Sequence, residues 1–263
     1  MPSIQLGDDR FNVLDRGDGP ALLLVHGFPL NHTMWNAQIA AFAATHRVIA
    51  PDLRGFGKSV VTTGACTMRR HADDLAAILD ELDVENVAFC GLSMGGYIAW
   101  QFVRNHSDRL TGLVLCDTRA GADTEVGRAG RRKLAERALT EGPNCVAEAF
   151  LKKLVGPQTA TNEPSVIEAI RRMILDTSPE GIAAALLGMA ERPDMTGSLG
   201  EIAVPSLVIV GQHDEISPAE EMRDIAKAIP ACRFVEIPDS GHMAPMENAP
   251  AVNAALRGFL SGV

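Results

Sequence analysis

The sequence predicts an α/β fold: a mostly parallel eight-stranded sheet flanked by helices and interrupted by a helical insertion. Three observations predict it. Short apolar runs recur without the polar alternation of a half-solvated strand, segments with a 3.6-residue apolar period separate them, and one stretch of about 80 residues is helical throughout.

The first residues, SIQL and RFNVLDRG, surround Gly7-Asp8-Asp9 and read as a small antiparallel hairpin at the sheet edge. Apolar runs follow at residues 21–25, 47–51, 86–91, 110–117, 205–211 and 233–238. Their continuous apolarity suits strands covered on both faces. Between them, Leu75, Ile78, Leu79 and Leu82 fall at i, i+3, i+4 and i+7, as do Met222, Ile225, Ala226 and Ile229, and then Val252, Ala255, Leu256 and Phe259. Each set marks a helix with one apolar face for packing on a sheet. From residue 120 to 200 no strand pattern occurs, and Gly142-Pro143, Gly156-Pro157, Pro164, Ser178-Pro179 and Pro193 divide helical segments. The division expected is a core of residues 1–119 and 201–263, with residues 120–200 inserted between two strands and placed as a lid.

Composition removes several classes of function. A net charge of -9 offers no field for a phosphate backbone, and no aromatic-basic RNA-binding module occurs. The N-terminus carries acidic residues where a signal peptide needs basic ones, and no apolar stretch reaches the roughly 18 to 20 residues that span a bilayer. A cytoplasmic protein without membrane or nucleic-acid partners is expected, as monomer or homodimer. Five scattered cysteines without a CxxC pair argue against a disulfide framework and a zinc cluster, and Cys90 and Cys116 read as small buried hydrophobes.

The chemistry begins at FCGLSMGGYIAW, residues 89–100, where Gly91-Leu92-Ser93-Met94-Gly95 fits G-x-S-x-G between a strand and a helix. Glycines there permit a sharp turn that lifts Ser93 Oγ at the carboxyl edge of the sheet, beside a helix N-terminus that favours developing negative charge. A serine nucleophile needs a base and a group that orients the base. The motif's usual chain order is serine, acid, histidine. SLVIVGQHDEISP offers Asp214 just past a late strand, with Asp117 and Glu215 as competing acids. Ser217-Pro218-Ala219-Glu220 reads as a capping box that starts the next helix beyond Asp214. His242 follows the last strand in RFVEIPDSGHMAPMENAP and is the candidate base. His46, His71 and His106 read as solvated, and His213 shares the loop of the acid. His26-Gly27-Phe28-Pro29 follows the strand ALLLV, and because Pro29 has no N–H, the oxyanion donors expected are the amides of Phe28 and Met94. His26 reads as a brace for that loop. Gly55-Phe56-Gly57-Lys58-Ser59 lacks the spacing of a phosphate-binding loop.

In order, HGFPLNHTMW, APDLRGFGKS, GLSMGGYIAW, VIVGQHDEISP and SGHMAPMENAP give the chain, from about residue 20 to about residue 260, a sequence that resembles the α/β-hydrolase superfamily. Within it the chain is most similar to small bacterial carboxylesterases and the 3-oxoadipate enol-lactonase group. The resemblance implies a cap domain at residues 120–200, no cofactor, no metal and a small-molecule ester or lactone substrate. Serine at 93 disfavours the dehalogenase and epoxide hydrolase activities of relatives that use aspartate. The Phe28-Pro29 pair also resembles the loop of cofactor-free haloperoxidases, which keeps perhydrolysis open, as carbon-carbon bond hydrolysis of dienone acids stays open on the same residues. From another class, a ligand-sensing or regulatory protein of this fold would keep the same residues. In the insertion, Met173, Ile174, Leu175, Leu186, Leu187 and Met189 suit either an acyl pocket or the insertion's own core, and Arg128, Arg131, Arg132, Lys133 and Arg137 suit either a carboxylated substrate or a solvated helix face.

Overall fold

In the computed structural model, which describes residues 3–263, eight strands form one sheet. They are β1 (Ser3–Leu6), β2 (Asp9–Arg16), β3 (Ala21–Val25), β4 (Arg47–Pro51), β5 (Val87–Leu92), β6 (Leu110–Cys116), β7 (Ser206–Gly211) and β8 (Cys232–Ile237), in the order β1-β2-β4-β3-β5-β6-β7-β8. The hairpin β1–β2 joins β4 antiparallel, and every other pairing is parallel. This is the architecture the sequence predicts. From β3 the chain moves outward to β4, then returns across β3 to β5. The loops leaving the carboxyl ends of β3 and β5 therefore diverge, which opens the crevice where open α/β sheets hold their ligands.

The sheet interior is apolar because its strands are. Every residue of β5 and β7 is buried, and each large aliphatic side chain so covered contributes roughly 1.5–3 kcal/mol. The helices, in chain order, are α1 (Asn36–Phe42), α2 (Met68–Glu81), α3 (Met94–His106), α4 (Glu125–Glu141), α5 (Asn144–Leu154), α6 (Pro157–Asn162), α7 (Pro164–Leu175), α8 (Pro179–Ala190), α9 (Ala219–Ala228), α10 (Ala244–Glu247) and α11 (Ala249–Leu260). Leu75, Ile78 and Leu79 of α2, Met222, Ile225 and Ala226 of α9 with Ile229 just beyond it, and Val252, Leu256 and Phe259 of α11 are all buried. Among the described residues no helix is long and apolar enough to cross a membrane.

Two sequence readings are corrected here. The run at residues 233–238 forms β8, but it pairs only with β7 at the edge of the sheet, so of its six residues only Ile237 is fully buried. His71 is not solvated: it faces inward from α2, fully buried.

Helices α4 to α8 and a 3₁₀ turn at Thr196–Glu201 occupy the chain between β6 and β7. This segment meets the rest of the chain main chain to main chain. In α8, a Cβ at Gly181 would overlap the carbonyl of Gly55, and one at Gly188 would overlap the carbonyl of Cys66. The Cys66 amide donates to Ala184 O at 2.9 Å, and the Thr177 hydroxyl donates to Pro29 O at 3.2 Å. Met173, Ile174, Leu186 and Met189 are buried, whereas Leu175 is exposed. Arg132 and Lys133 are exposed on α4, and Arg128 and Arg137 pair with Glu125 and Glu141 of the same helix.

Candidate active site

Ser93 is the single residue between β5 and α3. Its backbone, at φ 53° and ψ -109°, lies in a region that side chains other than glycine rarely occupy. The surroundings over-determine it. The Ser93 amide donates to Cys116 O at 2.9 Å, and Ser93 O accepts from the Gly96 amide at 2.9 Å and the Thr118 hydroxyl at 2.7 Å. The motif's glycines are required by space. A Cβ at Gly91 would overlap the carbonyl of Gly95, and one at Gly95 would overlap the carbonyl of Val25 in β3.

The loop after β8 brings His242 to the serine. His242 Nε2 lies 2.8 Å from Ser93 Oγ, and Nδ1 lies 2.8 Å from Asp214 Oδ2. A carboxylate beside Nδ1 assigns the proton to that nitrogen and leaves Nε2 to accept from the serine hydroxyl. Both His242 and Asp214 are buried, and Ser93 is half-buried. The second oxygen of Asp214 accepts from the amides of Ile216 at 2.7 Å and Ser217 at 3.0 Å, so the turn itself orients the carboxylate. The capping box read at residues 217–220 is not formed. Pro218 supplies the N-cap of α9, the Ser217 hydroxyl has no partner among the described residues, and the Ser217 amide donates to Asp214.

The competing acids lie apart from the imidazole. Glu215 is exposed. Asp117, at the end of β6, is fully buried and accepts from the Gly211 amide at 2.7 Å. Burial, and next the negative charge of Asp214, push the Asp117 carboxyl well above the usual carboxylate range. His213 points to solvent.

The loop after β3 lies against Ser93 at Gly27 and carries Phe28. Among the described residues the amides of Phe28 and Met94 donate to no protein acceptor, which leaves both N–H groups for a ligand. His26 braces this loop as the sequence suggests. Its Nε2 accepts from the Leu53 amide at 3.0 Å, and its Nδ1 lies 2.9 Å from Gly27 O. The Phe28 ring packs edge-on against Phe56 and against Phe150 of α5, with centroids 6.3 and 6.2 Å away.

Other contributors were not singled out in the sequence. Asp52 gathers the neighbouring loops. One oxygen accepts from His32 Nδ1 at 2.6 Å, and the other from Asn12 Nδ2 at 2.8 Å and the Lys58 amide at 3.0 Å. Burial opposes its ionisation, but the contacts with His32 prevail and hold the Asp52 carboxyl at about 2. The glycine-rich loop of residues 52–59 is thus a brace built around an aspartate, and the Pro51-Asp52 dipeptide at the end of β4 is the signal that marks it. Glu247, in the short helix after His242, accepts amides on both sides of that histidine. No group of three or more His, Cys, Asp or Glu side chains among the described residues is placed to hold a metal ion.

Two buried histidines give the fold a pH dependence. Burial lowers His26 to about 4 and His71 to about 3, so both are neutral in the folded chain. In the unfolded chain both take up protons near pH ~6.5. The unfolded state therefore binds more protons below that pH, and stability is lost as pH falls from about 6.5 toward 4, by roughly 1.4 kcal/mol per pH unit for each histidine. Urea unfolding from pH 7 to 4.5 is expected to show a shallower pH dependence in His71→Leu than in the wild type. Equal slopes would refute the assignment of His71.

The model of the alpha/beta hydrolase fold family matches residues 20–249. The solved structure of a thermophilic esterase from Thermogutta terrifontis, with malate bound, is 47% identical, covers 100% of this chain and 99% of its own, and superposes with a TM-score of 0.97. The enol-lactonase from Burkholderia xenovorans LB400 is 30% identical, with 99% of this chain and 100% of that chain covered and a TM-score of 0.92. Among curated relatives, 3-oxoadipate enol-lactonase 2 of Acinetobacter baylyi is 26% identical over 252 residues, covering 95% of this chain and 92% of its own.

Proposed function

The chain belongs to the α/β-hydrolase fold family, and from that premise we propose that it hydrolyses small carboxylic esters or lactones through an acyl-enzyme on Ser93. The observation that carries this reading is the unbroken relay from Asp214 through His242 to Ser93, with both links at 2.8 Å. The similarity to an esterase and an enol-lactonase over nearly the whole chain supports the substrate class.

In this mechanism Ser93 Oγ attacks the carbonyl carbon while its proton passes to His242 Nε2, and Asp214 stabilises the resulting imidazolium. The carbonyl oxygen gains negative charge and is met by the Phe28 and Met94 amides, each such donor lowering the barrier by roughly 2.7–4 kcal/mol. As the tetrahedral centre collapses, the carbon–oxygen bond of the alcohol breaks and that oxygen takes the proton from Nε2. Water then adds to the acyl carbon, giving a proton to His242, and the acid leaves as Ser93 recovers its hydrogen. A lactone's leaving oxygen stays tethered to the acyl group, so water must capture the acyl-enzyme before the ring recloses. The helices of residues 120–200 act as the cap over this crevice, with Phe150 against the oxyanion loop, and none of the steps requires a cofactor.

Labelling by a fluorophosphonate probe, with the adduct located by peptide mass spectrometry, is expected at Ser93 alone. A panel of p-nitrophenyl acetate, p-nitrophenyl butyrate, longer acyl esters and an enol-lactone then separates the two substrate classes. No adduct at Ser93 and no turnover of any member would overturn the proposal.

A further inference from the structure

We propose that Glu247 is a positioning residue for His242, and that through one carboxylate it ties the placement of the base to the seat of residues 120–200. This rests on the reading of His242 as the general base. Oε1 of Glu247 accepts from the Gly241 amide at 2.9 Å and the Met243 amide at 3.1 Å, the residues on either side of His242. Oε2 accepts from the Gly156 amide at 2.7 Å. Gly156 caps α6. The Met243 amide is shared with Leu154 O at 3.0 Å, the last residue of α5. The main chain around His242 is therefore held from α10 and from the inserted helices at once.

The two links from His242, at 2.8 Å to Ser93 and 2.8 Å to Asp214, require the ring to stand at one height and one angle. A loop held only by its own backbone would let the ring swing. A carboxylate suits the clamp better than an amide, because all of its contacts are donors and both oxygens are engaged. A glutamine offers one acceptor oxygen. Its NH₂ must face either the Gly156 amide or the amides beside His242, donor against donor.

Displacing the reacting groups by about 1 Å costs on the order of 10²-fold in rate. Glu247→Ala is therefore expected to lower kcat by about 10- to 100-fold with little change in KM, and Glu247→Gln to fall between it and the wild type. The low-field proton resonance of the His242 Nδ1–H···Asp214 bond should broaden or shift in both. Should the alanine variant not fold, the glutamine variant and the proton resonance carry the test. Folded Glu247 variants with wild-type kcat and an unchanged resonance would overturn the proposal, as would activity lost only in proportion to unfolded protein. Failure of the underlying reading is distinguishable: the wild type itself would then take no fluorophosphonate at Ser93.

Discussion

Ser93→Ala is expected to lower kcat for every ester or lactone the wild type hydrolyses by about 10⁶-fold, while the protein stays folded. The backbone bonds that hold the strained turn run from Ser93 N and Ser93 O to Cys116, Gly96, Tyr97 and Thr118, and none uses the hydroxyl. Alanine meets the same φ of 53° with a similar Cβ, so the elbow persists without its nucleophile. The amides of Phe28 and Met94 also persist, which leaves a residual acceleration of about 10³ over water from charge stabilisation and binding. Steady-state kinetics on p-nitrophenyl butyrate, with thermal unfolding as the control for structure, checks both halves of the expectation. Retained turnover in a folded Ser93→Ala variant would remove Ser93 from the reaction.

Asp214→Asn should cost about 10⁴-fold in kcat, and the reason is specific to this turn. The oxygen that faces the Ile216 and Ser217 amides must remain an acceptor. An asparagine there has to keep its carbonyl on the turn and aim its NH₂ at His242 Nδ1. That nitrogen becomes an acceptor, the imidazole proton moves to Nε2, and Nε2 can no longer take the serine proton. Asp117 offers no substitute, since it is fully buried and engaged with the Gly211 amide. The stability of Asp214→Asn should remain close to that of the wild type, whereas Asp214→Ala should also loosen the turn before α9. A pH–rate profile of the asparagine variant alongside its urea midpoint separates the two. Activity within tenfold of the wild type would argue against the relay.

The sequence exposed the sheet and the sharp turn at Ser93 because both rest on local signals: uninterrupted apolar runs, a 3.6-residue period, and glycines two positions on either side of a serine. Ser93, Asp214 and His242 could be read because each stands a few residues beyond a strand. What escaped reading depends on partners distant in the chain. His71 looks polar and helical in sequence, and only the packing of α2 against the sheet buries it. Ser217 has the spacing of a cap, but Asp214 competes for its amide and the helix begins one residue later. The run that became β8 is as apolar as its neighbours, and nothing local says that it lies outermost. Glu247 reads as an ordinary acidic residue until Gly156, 91 positions away, is brought against it.

The glycine contacts beneath α8 bear on how such a chain can be recombined. Because Gly181 and Gly188 leave no room between main chains, the inserted helices and the loops at Gly55 and Cys66 form one hereditary unit. A chimaera that imports residues 120–200 from a homologue will collide with its host wherever the donor carries a side chain at either position.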